Sequence, residues 1–403
     1  MENKCIISKG TMEDKDALID FINMVFSQNE RPHDFKKLMP KLYAEGIDTM
    51  DSHYLVKEDG RIRAVVGVYD TELEVAGTVL KLGQVGQVSV HPYARGSGYM
   101  KQLMHMAMEE SRAKGIDALV LGGLRNRYEY FGFEPAEICL AYHFIGENVR
   151  HGCRDICVDG MELRPVCSKE DDCLDQMYAL FNRQTFKMKR SRESFYEILK
   201  SWESHVFAIL SQGEFAGYVC MSTDYDRISE LMLKNINDFP AVLKLCFTQF
   251  QIQSLMCLCS AVDFELMDKM AQYCENCTIS TGHSWHIFNF ENVIRSFMKL
   301  KNQYTPLDDG EFYLKIAEEY ANDEPHAPAA CCGCYRLAVD AGVVTVEKLP
   351  GNAAPCDGVI EVNMLDAVTA IFTQAGAYTS AGRRCTYKNW FPLPLYMNPM
   401  DAC

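Results

Sequence analysis

Eight residues, His91-Pro92-Tyr93-Ala94-Arg95-Gly96-Ser97-Gly98, separate a run that reads as a strand, Val85–Val90, from a stretch of helical periodicity opening at Tyr99. A strand-to-helix junction of this kind aims unpaired backbone N–H groups and the positive end of the helix dipole into one small volume. An anionic phosphate suits that volume. The two glycines permit positive φ and close approach of the backbone, and Arg95 adds a forked cation. Neither the three-glycine GxGxxG fingerprint nor the Gly-Lys-Ser/Thr of a P-loop is present.

The elements that would position this turn are readable on both sides. Met100, Leu103, Met104 and Ala107 fall at i, i+3, i+4 and i+7, a single apolar stripe. Arg112 and Lys114 stand where the last turn favours cations, and Gly115 is placed to cap the C-terminus. A short strand, Asp117–Leu121, follows, then the aromatic run Arg127-Tyr128-Glu129-Tyr130-Phe131-Gly132-Phe133-Glu134-Pro135-Ala136.

In this order, strand, R-G-x-G, helix, strand and Tyr-x-x-Phe-Gly-Phe-Glu, the chain resembles the GNAT acetyltransferases. The resemblance implies a site for acetyl-CoA as cosubstrate. It places the pyrophosphate on the amides of Gly96, Ser97, Gly98, Tyr99 and Met100, with the Arg95 side chain and Lys101 beside them. The amides of Val88 and Val90, with Ser89 between them, would take the pantetheine arm and polarise the thioester carbonyl. Inward-facing core positions are an equally good reading of both valines, and backbone contacts are compatible with it.

The chain has 403 residues, 48% apolar and 24% charged, which is ordinary globular composition and long enough for two to four domains. No run approaches the ~20 apolar residues of a membrane span, and Met1-Glu2-Asn3-Lys4 has no basic, signal-like start. A net charge of −15 argues against nucleic acid or an anionic membrane as partner and favours a cationic amine. Eighteen cysteines without a leader point to a reduced, cytoplasmic setting. Cys274-x-x-Cys277 and Cys331-Cys332-x-Cys334 could supply four thiolates to zinc, but the second is not a clean knuckle, so free thiols and no metal are expected.

The predicted fold class is mixed α/β, in three units. Residues 1–150 hold helices near Asp14–Phe26 and Asp34–Ala44, a hairpin of His53–Val56 and Ile62–Tyr69 through Glu58-Asp59-Gly60, and then the motif. Residues 151–285 repeat the order with less chemistry: where the first unit has Arg95-Gly96-Ser97-Gly98, this one has Lys234-Asn235-Ile236-Asn237-Asp238. Without glycines, and with an acid at the helix start, it reads as a degenerate repeat. Residues 286–403 hold a helix at Glu291–Leu300, short strands near Phe312–Ile316, Tyr335–Val339, Val343–Lys348 and Gly358–Val362, a helix at Met364–Thr373 and an irregular, Pro-rich tail, Trp390–Tyr396. This succession resembles the Eis-type acetyltransferases, whose third unit is similar to a sterol carrier protein.

That resemblance implies N-acetyl transfer to an aminoglycoside-like, polyamine or lysine amine, and a homo-oligomer, trimeric or hexameric. Tyr128, at the tyrosine of the Tyr-x-x-Phe-Gly motif, would be the general acid; an aromatic core is the plainer reading of its neighbourhood. The motif strand Leu82–Val90 contains no Asp or Glu, so the base is not a strand carboxylate. By the same resemblance it would be the α-carboxylate of Cys403, with Asp401 as substitute. A frayed tail is the competing expectation. A non-catalytic carrier or sensor of CoA or lipid is the alternative function.

Overall fold

The computed structural model describes residues 5–28, 31–317, 331–351 and 358–403. The N-terminal Met1-Glu2-Asn3-Lys4 lies outside them. Three sheets organise the chain, and chain order does not sort strands among them.

The first sheet has eight strands. In spatial order these are Cys5–Lys9, His53–Glu58, Arg61–Val75, Thr78–Val90, Ala118–Leu121, Ser284–Ile287 and Glu134–Pro135, with Phe186–Met188 paired alongside Arg61–Val75. The second sheet runs Asn276–Ser280, Cys139–Ile145, Ser254–Ser260, Arg227–Leu233, Glu214–Met221, His205–Ser211 and Met161–Pro165. The third has four strands, Val343–Lys348, Gly333–Asp340, Gly310–Ala317 and Val359–Asn363.

The expected divisions at 150 and 285 are therefore crossed. Cys139–Ile145 leaves the first unit to pair with Ser254–Ser260, and Ser284–Ile287 returns to pair with Ala118–Leu121. The exchange buries Trp285 and Ile287 against Ala118, Val120 and the helix Phe290–Asn302, in the apolar core that also packs the third sheet. The units are fused by shared sheets, which sequence composition does not signal.

Local chemistry explains the other departures. The expected helix at Asp34–Ala44 is two short ones, Phe35–Leu38 and Pro40–Tyr43, because Pro40 lacks an N–H and pushes Met39 out of helical geometry (φ −130°, ψ 59°). The motif strand begins at Thr78 and pairs back onto Arg61–Val75 through a two-residue turn, Ala76-Gly77, both at positive φ. The motif helix runs Tyr99–Ala113 and buries Leu103, Met104 and Ala107, and Gly115, at φ +72°, follows its end. The tail has no regular structure, yet Trp390, Leu393, Leu395, Met397 and Met400 are all buried.

Candidate active site

The site begins with a disturbance in a strand. Thr78–Val90 pairs with Arg61–Val75, and the register slips where Gly67 faces Gly86 and Val65 faces Ser89. Gln87, at φ 51°, sits within that slip, an uncommon conformation for a non-glycine residue. A buried network holds it: the Tyr69 hydroxyl donates to Gln87 Oε1 (2.6 Å) and lies 2.9 Å from His53 Nε2, while Tyr43 Oη is 3.1 Å from the same nitrogen and 3.0 Å from Tyr69 Oη. His53 Nδ1 is 2.9 Å from the Thr49 carbonyl. Burial holds His53 down at about 4, so it stays neutral, and pushes both tyrosines up.

On the other edge the strand runs parallel to Ala118–Leu121, but the register extends only from Leu82–Ala118 to Val85–Leu121. The pairing ends there because the neighbouring strand ends at Leu121, and Thr78–Val90 runs on with an open edge. His91 N–H donates to the Arg63 carbonyl at 2.8 Å. By the two-residue alternation of a strand, the amides of Val90 and Val88 then face the open edge and that of Ser89 faces its partner Val65. The Ser89 hydroxyl donates to the Gln87 carbonyl (3.0 Å) and so belongs to the bulge.

The motif strand leads into a turn, Pro92–Ala94, and then to Arg95-Gly96-Ser97-Gly98. Gly96 and Gly98 have φ of +86° and +76°, and a Cβ on either would meet nothing within 4 Å. The backbone is thus open to a ligand on the side where a side chain would stand. Residues 95–98 are exposed. The Ser97 N–H bonds within the turn to Ala94 O (3.3 Å), so it is less free than expected, whereas the helix N-terminus at Tyr99–Lys101 points its dipole at the same opening. Tyr99 and Lys101 also support the scaffold, Tyr99 by donating to Glu58 and Lys101 with its ammonium 5.2 Å from the Tyr130 ring centroid.

Tyr128 follows the neighbouring strand, Ala118–Leu121. Its ring packs against Gly123 so closely that a Cβ there would sit 2.5 Å from Cε2; the Gly122-Gly123 pair after the strand was the unread signal for it. The short helix Arg125–Tyr128 is fixed by Arg125, whose Nε donates to both oxygens of Glu134 (3.0 Å each) and whose Nη1 meets Glu129 at 2.7 Å. Burial raises the Tyr128 hydroxyl above its ordinary value, with Arg127 pulling the other way.

The tail is not frayed. Cys403 lies against the motif strand at the bulge: a Cβ on Gly86 would be 3.0 Å from Cys403 Sγ and 3.5 Å from its carboxyl carbon. Lys41 Nζ donates to the carbonyls of Met400 (2.8 Å) and Ala402 (2.6 Å). Burial lowers Lys41 to about 8, against the upward pull of Asp401 and Cys403. The Cys403 thiol is pushed up to about 12 by burial, so it is protonated at neutral pH. Cys403 packs with the core beneath the helix Lys15–Ser27, whereas Tyr128 packs with Leu103, Met104 and Phe133 on the motif-helix side. The two groups lie on opposite faces of the first sheet. Asp401 is otherwise engaged, with both oxygens on Arg190.

The cysteine clusters are far apart in the fold. Cys277 lies on an edge strand of the second sheet and Cys334 on a strand of the third. Among the described residues, the grouping of metal-ligand type is Asp171, Asp172 and Cys173, whose carboxylates already pair with Arg164. No helix among the described residues is long and apolar enough to cross a membrane.

Residues 7–136 match the family model of the acetyltransferase (GNAT) domain. The whole chain is similar in fold to a GCN5-related N-acetyltransferase from Anabaena variabilis (TM-score 0.66, 14% identity, 99% of this chain and 100% of the other). It is similar to one from Kribbella flavida (0.65, 13%, 100% and 99%) and to Eis1 from Mycobacterium abscessus (0.58, 12%, 91% and 89%). At such identities the likeness shows the fold. No curated protein matches the sequence. Together the matched domain and the shared fold support acyl transfer as the chemistry.

Proposed function

We propose that the protein transfers an acetyl group from acetyl-CoA to a primary amine, with Tyr128 as general acid and the α-carboxylate of Cys403 as general base. One observation carries the proposal: the motif strand runs past its last pair at Val85 with an open edge and leads to an open helix N-terminus flanked by glycines, with Tyr128 on one face of the sheet and Cys403 on the other. The exposed turn fits the pyrophosphate, with the amides of Gly96, Gly98, Tyr99 and Met100 as its donors and Arg95 beside them. The edge amides of Val88 and Val90 fit the pantetheine arm.

In this reading the ammonium loses a proton to the Cys403 carboxylate, and the freed nitrogen attacks the thioester carbonyl. The C–N bond forms, the C–S bond breaks, and the leaving thiolate takes the Tyr128 proton; the second proton of the nitrogen passes to solvent, which reprotonates Tyr128, so one proton is released per turnover. A phenol kept protonated by burial is suited to that last step. The Cys403 thiol takes no part.

An acidic chain favours a cationic acceptor such as a polyamine, an aminoglycoside-like amine or a lysine side chain. A homo-oligomer, a cytoplasmic setting and a sterol-carrier-like origin for the third unit belong to the same proposal. The test is release of free thiol from acetyl-CoA against a panel of amines. Amine-dependent release supports the reading. CoA binding with no release for any amine overturns it in favour of a carrier.

A further inference from the structure

The second unit has lost its phosphate turn, yet it contains the most heavily charged buried cluster in the described chain. Arg190, whose side chain is fully buried, gives Nε and Nη2 to Asp401 (2.8 and 2.9 Å) and Nη1 and Nη2 to Glu230 (2.9 and 2.6 Å). The Tyr218 hydroxyl donates to Glu230 Oε1 (2.6 Å), and the guanidinium lies 4.1 Å from the Phe181 ring centroid. Two of the three ionic residues belong to the second unit or the segment that joins it to the first sheet. The third comes from the tail.

We infer that the second unit is the seat of the C-terminal segment and that Arg190 is a positioning residue, fixing the register in which residues 396–403 reach the motif strand. Three further contacts point the same way. Trp202 Nε1 donates to the Pro399 carbonyl (3.1 Å), and Asn398 Nδ2 donates to the carbonyl of Ser229 (3.3 Å). Met400 is buried in the core of the second unit with Phe195 and Tyr218.

Ser229 is itself the extra residue where the register of Arg227–Leu233 slips against Glu214–Met221. That strand is parallel to Ser254–Ser260 only at Arg227–Met256 and Ile228–Cys257. The tail thus passes the splayed strands of the second sheet, at the place that in the first sheet faces the ligand. Tyr396, Asn398 and Asp401 line a cavity of about 450 Å³ there, together with Ser229–Leu233 and Leu258–Ser260.

A buried ion cluster is a poor source of net stability, because desolvation offsets the attraction, whereas it is strict about partners. A slip of the tail by one residue would strand Asp401 away from the only guanidinium described near it and leave buried charges unpaired. The same slip would move Cys403 off Gly86.

The inference rests on the reading of the Cys403 carboxylate as base, and its test separates the two. Asp401→Asn in the full chain leaves Arg190 and Glu230 as a balanced pair. Hydrogen exchange over residues 396–403 should accelerate at least tenfold, kcat should fall at least tenfold, and the acetyl-CoA Kd should stay within twofold. Unchanged exchange with unchanged kcat overturns the seat. Faster exchange with unchanged kcat upholds the seat and overturns the carboxylate as base. Should this variant fold poorly, the neutral triad Arg190→Met, Glu230→Gln, Asp401→Asn is subjected to the same two measurements, with the same outcomes deciding.

Discussion

The first and second sheets carry the same device and put different things into it. In each, a bulged strand runs on past its parallel pairing and leads to a helix, Tyr99–Ala113 in one and Phe239–Phe250 in the other. At the first helix the turn is open, with two glycines at positive φ and no atom where a side chain would be. At the second the chain satisfies itself: Asn235 Oδ1 accepts from the Asn237 N–H (3.1 Å), Pro240 removes a donor, and the Asp238 carboxylate repels a phosphate. Burial raises the Asp238 carboxyl above its ordinary value. The strand-to-helix device is repeated, and the open glycine turn belongs to the first copy.

The largest effect that tests this contrast is in the acid. Tyr128→Phe should lower kcat by ~10²–10⁴-fold, the range for a positioned proton donor, with little change in acetyl-CoA affinity. A rate within threefold of the parent removes Tyr128 from the mechanism.

Acid stability separates the two sheets next. His53 and His286 both belong to the first sheet, and burial lowers each to about 4. The unfolded chain takes up protons at these residues near pH 6.5, the folded chain only near 4, so stability is lost as pH falls through that window. Each contributes about 3 kcal/mol at the acid end. His286→Gln should flatten roughly half of the pH dependence seen in urea titrations between pH 6.5 and 4; an unaltered slope contradicts the assignment.

Lys41 gives a smaller, kinetic effect. It is protonated below about pH 8 and holds the carbonyls of Met400 and Ala402. At saturating amine, kcat should decline about tenfold above pH 8 as the tail loosens. Lys41→Met should be low and flat across the same range. A parent-like alkaline limb in that variant would show that Lys41 is not its source.

The smallest expected effect is none. Asn235→Gly with Asn237→Gly imitates the first loop in the second, yet Asp238 and Pro240 remain, so acetyl-CoA stoichiometry should stay at one per chain. A second binding event would mean that glycines alone make the site.

Much of the first junction was legible because its signals are local: a periodic helix, a glycine turn and an aromatic run within about fifty residues of sequence. The bulge at Gln87 was not, since it depends on a network of Tyr69, His53 and Tyr43 side chains that only tertiary packing brings together. The exchange of Cys139–Ile145 and Ser284–Ile287 between sheets was invisible for the same reason, as either strand would read identically in either sheet. Nor did Met397-Asn398-Pro399-Met400-Asp401-Ala402-Cys403 look like a buried segment. Its burial is decided by Arg190 and Lys41, distant residues whose charges find their partners there.

The central claim is that the amides around residues 96–101 hold the diphosphate of a coenzyme A thioester. Isothermal calorimetry of the parent and of Gly98→Val with acetyl-CoA tests it most directly, because a β-branched residue is strained at φ +76° and fills the open face. One site per chain in the parent and a loss of at least a hundredfold in affinity in a folded variant is the expected result. No heat from the parent at millimolar acetyl-CoA, or equal affinity in the two proteins, would contradict it.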